Sequence, residues 1–110
     1  MSLLHHAPSV DLATAEKTAK ERYRIAATAS LLPSERDQNF LLRTSRGDRF
    51  VLKIANATEE RPPLEAQNAA MSHIAARVAI CPTVVPDVDG SLIGELRAAS
   101  GVPHFVRLLT

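Results

Sequence analysis

Two runs, Phe40-Leu-Leu-Arg-Thr-Ser45 and Asp48-Arg-Phe-Val-Leu-Lys-Ile54, decide how this chain folds. Both are rich in residues that suit a pleated, half-buried surface. They flank Arg46-Gly47, and a two-residue turn with Gly in second place is a strong hairpin signal. Pairing outward from that turn predicts Leu42 opposite Val51 and Phe40 opposite Lys53. Side chains alternate along a strand, so those four residues share one face, while Phe50, Leu52 and Ile54 share the other. Lys53 is the unusual member of the pair. A lysine inside so apolar a strand must meet an anion or lead its ammonium out to water. It is therefore either an edge lysine that guards the sheet against aggregation or a lysine that contacts phosphate.

Downstream, a polar loop over residues 55–61 leads to Pro62-Pro63, a favoured way to open a helix, here from Leu64 to Val78. Leu64, Met71, Ile74, Ala75 and Val78 fall on one helical face, with Gln67 among them and Glu65 well off it. A buried amide needs a partner, which for Gln67 is Lys53 or a nearby backbone carbonyl. Val84–Val88 and Ser91–Glu95 read as a second hairpin across Asp89-Gly90, and His104–Leu109 as a further apolar strand. Upstream lie the polar stretch Ser34–Asn39 and a strand within Tyr23–Pro33. Before these comes a helix capped by Ser9 or Asp11, running to about Arg22 with Leu12, Ala15, Ala19 and Tyr23 as its apolar stripe. Residues 1–8 read as a flexible arm. The order predicts an α+β fold: an antiparallel sheet with a helix crossing after the third strand.

Composition narrows the function classes. The chain has 110 residues, 45% of them hydrophobic and 23% charged, with a formal net charge of +1; this is one globular domain. Nucleic-acid binders carry a basic excess and stacking aromatics, whereas aromatics here are 4% and Trp is absent; no nucleic acid is expected as partner. No apolar run reaches the roughly 18 residues of a membrane span, and no secretory leader is visible. The single cysteine, Cys81, rules out an internal disulfide and fits a reducing cytoplasm. Neither it nor His5, His6, His73 and His104 has metal-site spacing. Asp87 and Asp89, beside Gly90, read as turn residues.

Three stretches taken in order are more specific than any one alone: Glu35-Arg-Asp-Gln-Asn-Phe40, Phe50-Val-Leu-Lys-Ile-Ala-Asn56 and Leu64-Glu-Ala-Gln-Asn-Ala-Ala70. They resemble the start of aminoglycoside-phosphotransferase-like kinases. More narrowly, they resemble the module related to hydroxylysine kinases, which in some proteins precedes a class III aminotransferase. Val106-Arg-Leu-Leu-Thr110 is similar to that family's entry to the hinge, so the likeness spans about residues 23–110. It implies a protein-kinase-like N-terminal lobe over residues 9–110: a twisted antiparallel sheet of about five strands, one core helix after the third strand, and an extra N-terminal helix.

The resemblance also implies a site. Lys53 matches the strand-three lysine that pairs with the α- and β-phosphates of ATP. Val51 matches the apolar residue that covers adenine, and Leu42 would extend that platform. Ser34, Gln38 and Asn39, with backbone amides, would supply phosphate donors in place of a glycine-rich loop, which this sequence lacks. Asp37 and Glu35 would point away from phosphate, and residues 107–110 would approach the adenine edge. Where the family sets a glutamate against the lysine, this chain offers Gln67 facing inward and Glu65 as the nearest carboxylate; both are candidates. The catalytic base and the ligands of Mg²⁺ belong to the family's C-terminal lobe, and nothing here matches them. The expectation is an ATP-binding half, not catalytic alone, of a kinase that phosphorylates a hydroxyl of a small amino-containing substrate. Its partners would be nucleotide and that C-terminal lobe, with self-association through an apolar strip exposed near His104–Leu109. The rivals are a non-catalytic interaction or regulatory module on the same scaffold, attached to an aminotransferase, and a small α+β domain with no nucleotide site.

Overall fold

The computed structural model of the chain describes residues 10–34, 37–57, 59–75, 82–97 and 101–110. Their order is α1 (Leu12–Tyr23), β1 (Thr28–Leu32), β2 (Gln38–Arg43), β3 (Arg49–Ile54), α2 (Arg61–Ala75), β4 (Val84–Val85), β5 (Gly94–Arg97) and β6 (Pro103–Leu109). The strands form one sheet in the order β1-β2-β3-β6-β4, and β5 lies against the same edge of β6 as β4. Every pairing is antiparallel. The α+β expectation therefore holds, with a sixth strand added and with helices at both expected places.

The central hairpin forms, but its turn is one residue longer than the sequence suggests. The Gly47 amide donates to the Thr44 carbonyl and the Thr44 amide to the Asp48 carbonyl, each at 3.0 Å. Gly47, at φ +88°, takes the left-handed conformation that closes a three-residue loop Ser45-Arg46-Gly47. That extra residue moves the register by one. Leu42 stands opposite Phe50 and Phe40 opposite Leu52, while Leu41 faces Val51 and Asn39 faces Lys53. A one-residue slip exchanges faces, so Leu42 and Phe40 lie on the side of the sheet away from Lys53.

That far side is the core. Phe40, Leu42, Leu52, Ile54, Val106 and Leu108 are almost wholly buried there, each contributing about 1.5–3 kcal/mol. Helix α1 covers them with Ala15, Ala19 and Tyr23. Asp11 starts this helix by accepting from the Thr14 amide at 2.7 Å, as an N-cap does. The Ile25 amide closes it onto the Ala19 carbonyl at 3.0 Å, past Arg24 at φ 55°. Glu16 then ties α1 to the edge strand by accepting from the Ala29 amide at 2.8 Å.

Two further expectations change. The turn at Asp87–Gly90 forms, with Asp87 Oδ1 accepting from the Asp89 and Ser91 amides at 2.9 Å. The strands beside it do not pair with each other; both pair with β6, at Val84–Leu109 and Gly94–Val106. Flanked on both sides, β6 buries His104, Val106, Arg107 and Leu108, and of the expected apolar strip Phe105 and Leu109 are half-buried. The exposed large apolar residues among those described are Leu12, Leu31, Ile74, Val88, Leu92 and Val102, spread over different elements. No described helix is long and apolar enough to cross a membrane.

Candidate functional site

The sheet face opposite α1 carries two parallel rows of side chains. One row is apolar: Leu41, Val51, Leu109 and Val84 stand side by side across β2, β3, β6 and β4, and all four are half-buried. The next row is polar: Asn39, Lys53 and Arg107 stand side by side across β2, β3 and β6. Strand pairing alone fixes this layout, since directly opposed residues share a face. An apolar row beside a cationic row is what a flat base joined to an anionic chain requires.

Lys53 is half-buried, and among the described residues its ammonium enters no ion pair or hydrogen bond; the ion pair found there is Lys17–Glu21, on the far helix. Its cross-strand neighbour on one side, Asn39, has an Oδ1 that is buried and receives no hydrogen bond. Its neighbour on the other side, Arg107, is 4% exposed and is engaged through both terminal nitrogens. Arg107 donates from one terminal nitrogen to Asn68 Oδ1 at 2.9 Å and from the other to Gln67 Oε1 at 3.1 Å. Burial pushes the Arg107 pKa down, and the nearby carboxylates Asp37 and Glu59 oppose that. The α2 helix is thus held to the sheet by two amides on one guanidinium, with Leu64 packing beside them against Ala55, Ile93 and Phe105.

The residues expected from sequence separate accordingly. Val51 and Lys53 share the open face, and Asn39 joins them. Leu42 is 0% exposed inside the α1 core, because of the register change; Leu41 occupies the position beside Val51. Gln38 also lies on the α1 side, where its amide exchanges hydrogen bonds with Val10, accepting at 2.9 Å and donating at 2.7 Å. Ser34 is exposed just past β1, and Glu35 lies outside the described residues. Asp37 accepts from the Asn56 amide at 2.9 Å. Gln67 is exposed rather than inward, and Asn68 takes the buried position; Gln67 bonds Arg107 instead of Lys53. Glu65 is exposed on the other flank of α2, lining a cleft of about 460 Å³ with Arg61, Asn68, Ser91, Leu92 and Ile93.

Asn68 and Leu41 belong to the site and were not singled out, whereas Arg107 and Leu109 fall in the stretch 107–110 expected at the adenine edge. Arg107 had a readable signal. A cation inside Val106-Arg-Leu-Leu109 is as anomalous as a cation inside Val51-Leu-Lys-Ile54, and the same burial argument applies.

No family model matches the chain. It is 31% identical, over an alignment of 116 residues, to hydroxylysine kinase from Danio rerio, covering 100% of this chain and 33% of that protein. Its structure is similar to that of the microcompartment-associated aminopropanol kinase, with a TM-score of 0.72 at 20% identity over 90% of this chain and 31% of the other. The chain thus spans about a third of the length of each. Sheet order, helix placement and this structural likeness together make the fold that of a kinase-like N-terminal lobe.

Proposed function

We propose that this chain is the nucleotide-binding half of a small-molecule kinase. The observation that carries the reading is the layout of the open face: the Lys53 ammonium, unpartnered among the described residues, lies one row from the apolar strip Leu41, Val51 and Leu109. In this reading the strip lies against one side of adenine, and Lys53 neutralises phosphate oxygens of ATP. ATP supplies the γ-phosphoryl group, and the residues of this chain bind and orient the nucleotide. Ser34 and the backbone amides leading into β2 add phosphate donors. The base that positions the acceptor hydroxyl and the ligands of Mg²⁺ are assigned to a C-terminal lobe. The two relatives are named as kinases of small molecules that carry an amine and a hydroxyl, and this supports an acceptor of that class.

The test is a backbone-amide NMR titration with Mg-ATP on the wild-type chain and on Lys53→Ala. Saturable shifts at residues 39–41, 51–53 and 107–110 are expected, with an affinity on the order of 1 mM for half a cleft. Lys53→Ala should weaken binding about tenfold or more, since hydrogen bonds to charged groups are worth about 1.5–3 kcal/mol. A wild-type chain that stays folded and shows no saturable shift sinks the reading. A non-catalytic module on the same scaffold has one observation in its favour: α2 presents no carboxylate to Lys53. Phosphotransfer to an amino alcohol by the chain joined to a C-terminal lobe separates the two.

A further inference from the structure

In kinases of this architecture the strand lysine is held in place by a helix carboxylate, and here no described residue of the helix holds it. Of the two α2 side chains within the expected range, Gln67 is bonded to Arg107 and Glu65 lines the opposite flank. Asn68, the buried polar residue of α2, is also bonded to Arg107. Two adjacent groups of the polar row remain to be matched. Asn39 Oδ1 is buried without a donor, and Lys53, directly opposite it on the paired strand, is an ammonium without an acceptor among the described residues.

We propose that Asn39 is the positioning residue for Lys53: its side-chain oxygen accepts from the ammonium and orients it along the sheet toward phosphate. Directly paired residues on antiparallel strands have Cβ atoms about 5 Å apart. The four-carbon stem of lysine is long enough to cover that span. A buried, unmatched amide oxygen costs about 1–3 kcal/mol, and the Lys53 ammonium is a donor directly across the strand pair. One hydrogen bond answers the oxygen and fixes the direction of the lysine. The role is that of an acceptor. It differs from donation to phosphate, which would use the side-chain nitrogen, whereas the buried atom that lacks a partner is the oxygen. Orientation of the lysine would then come from within the sheet, on β2, while α2 is positioned separately through Arg107. This inference rests on the nucleotide reading of the site.

Two substitutions separate an acceptor from a donor. Asn39→Leu removes the oxygen at similar volume, and Asn39→Asp keeps an oxygen acceptor while deleting the amide donor and adding negative charge. If Asn39 positions Lys53, Asn39→Leu weakens Mg-ATP binding about tenfold and Asn39→Asp stays within about threefold of wild type. If Asn39 donates to phosphate, or only fills space, the order reverses and Asn39→Asp is the worse variant; that result overturns the proposal. A second readout needs no nucleotide: the Lys53 side-chain ammonium and Cε signals of the free chain. Asn39→Leu should speed ammonium proton exchange, and Asn39→Asp should leave it as slow as in the wild type or slower. Lys53 signals indifferent to both changes also overturn the proposal. An absent Mg-ATP response combined with responsive Lys53 signals places the failure in the nucleotide reading and leaves the Asn39–Lys53 contact standing.

Discussion

Lys53 and Arg107 stand side by side on neighbouring strands with the same charge, yet they are opposite in circumstance. Arg107 is buried and answered twice, by Asn68 and Gln67; Lys53 is half-buried and unanswered among the described residues. The difference predicts an asymmetry at Arg107. Asn68→Leu leaves a buried guanidinium short of an acceptor and should cost about 1–3 kcal/mol. Arg107→Met removes the charge together with its need, and replacing a buried ionic group by a packed apolar one is often neutral or stabilising. Urea unfolding of the two variants, with the double variant as a cycle, checks this; Arg107→Met as the more damaging change would show that the guanidinium stabilises the fold outright. Lys53 was legible in the sequence because a charge in an apolar strand stands out. Gln67 and Asn68 were confused because both sit at helical spacing from Leu64, three and four residues on. The choice between them was made by the partner under the helix, which sequence periodicity does not contain.

At the scale of elements, what sequence disclosed and what it hid follow from the physics of turns and faces. The β2–β3 hairpin, the α2 start at paired prolines and helix α1 all rest on local chemistry, and all three formed, with Leu12 of the expected α1 stripe left exposed. The hairpin register rests on loop length, and one residue at Gly47 moved Leu42 from the candidate platform into the core. The β4–β5 pair was misread for the same reason: a good turn at Asp87–Gly90 states that the chain reverses, not which strand the two arms will pair with. Helix α1 supplies a pH test of its docking. Burial, helped by the Asp87 carboxylate and opposed by Arg22, pushes the Tyr23 phenol up to about 12 from 10.0. The folded chain therefore holds this proton more tightly than the unfolded chain. Stability from this group is present in full below pH 10 and is lost as pH rises through 12, by about 2–3 kcal/mol. Tyr23 is the single tyrosine, so phenolate absorbance reports it alone. Tyr23→Phe should lack this part of the alkaline loss; an unchanged alkaline limb would show that the loss belongs to other groups.

Across the whole molecule the two helices are held very differently, and this bears on how the open face works. Helix α1 buries Ala15, Thr18, Ala19 and Tyr23 against the sheet core and is bonded to two other elements. The Glu16 carboxylate accepts from Ala29, and Arg22 donates to the Glu95 carbonyl on β5. Helix α2, with 15 residues, has only Leu64 and Asn68 buried among its described side chains, and its polar attachments include the pair of bonds to Arg107 and Arg61 over the Phe105 ring. Local opening costs least where few apolar contacts are broken, so α2 should open well before the sheet. Native-state hydrogen exchange under increasing denaturant should show α2 amides exchanging through a sub-global opening, with β2, β3 and β6 protected up to global unfolding. Asn68→Leu should lower the α2 opening free energy without changing that of α1, since the bond it removes ties only α2 to the sheet. Exchange of α2 and the central strands in a single cooperative step would contradict this and would mean that Arg107 and Leu64 couple the helix as firmly as α1 is coupled. If the two-tier order holds, ligand binding at Lys53 and the position of α2 are separable, and α2 can respond to whatever packs on its exposed side without disturbing the lysine row.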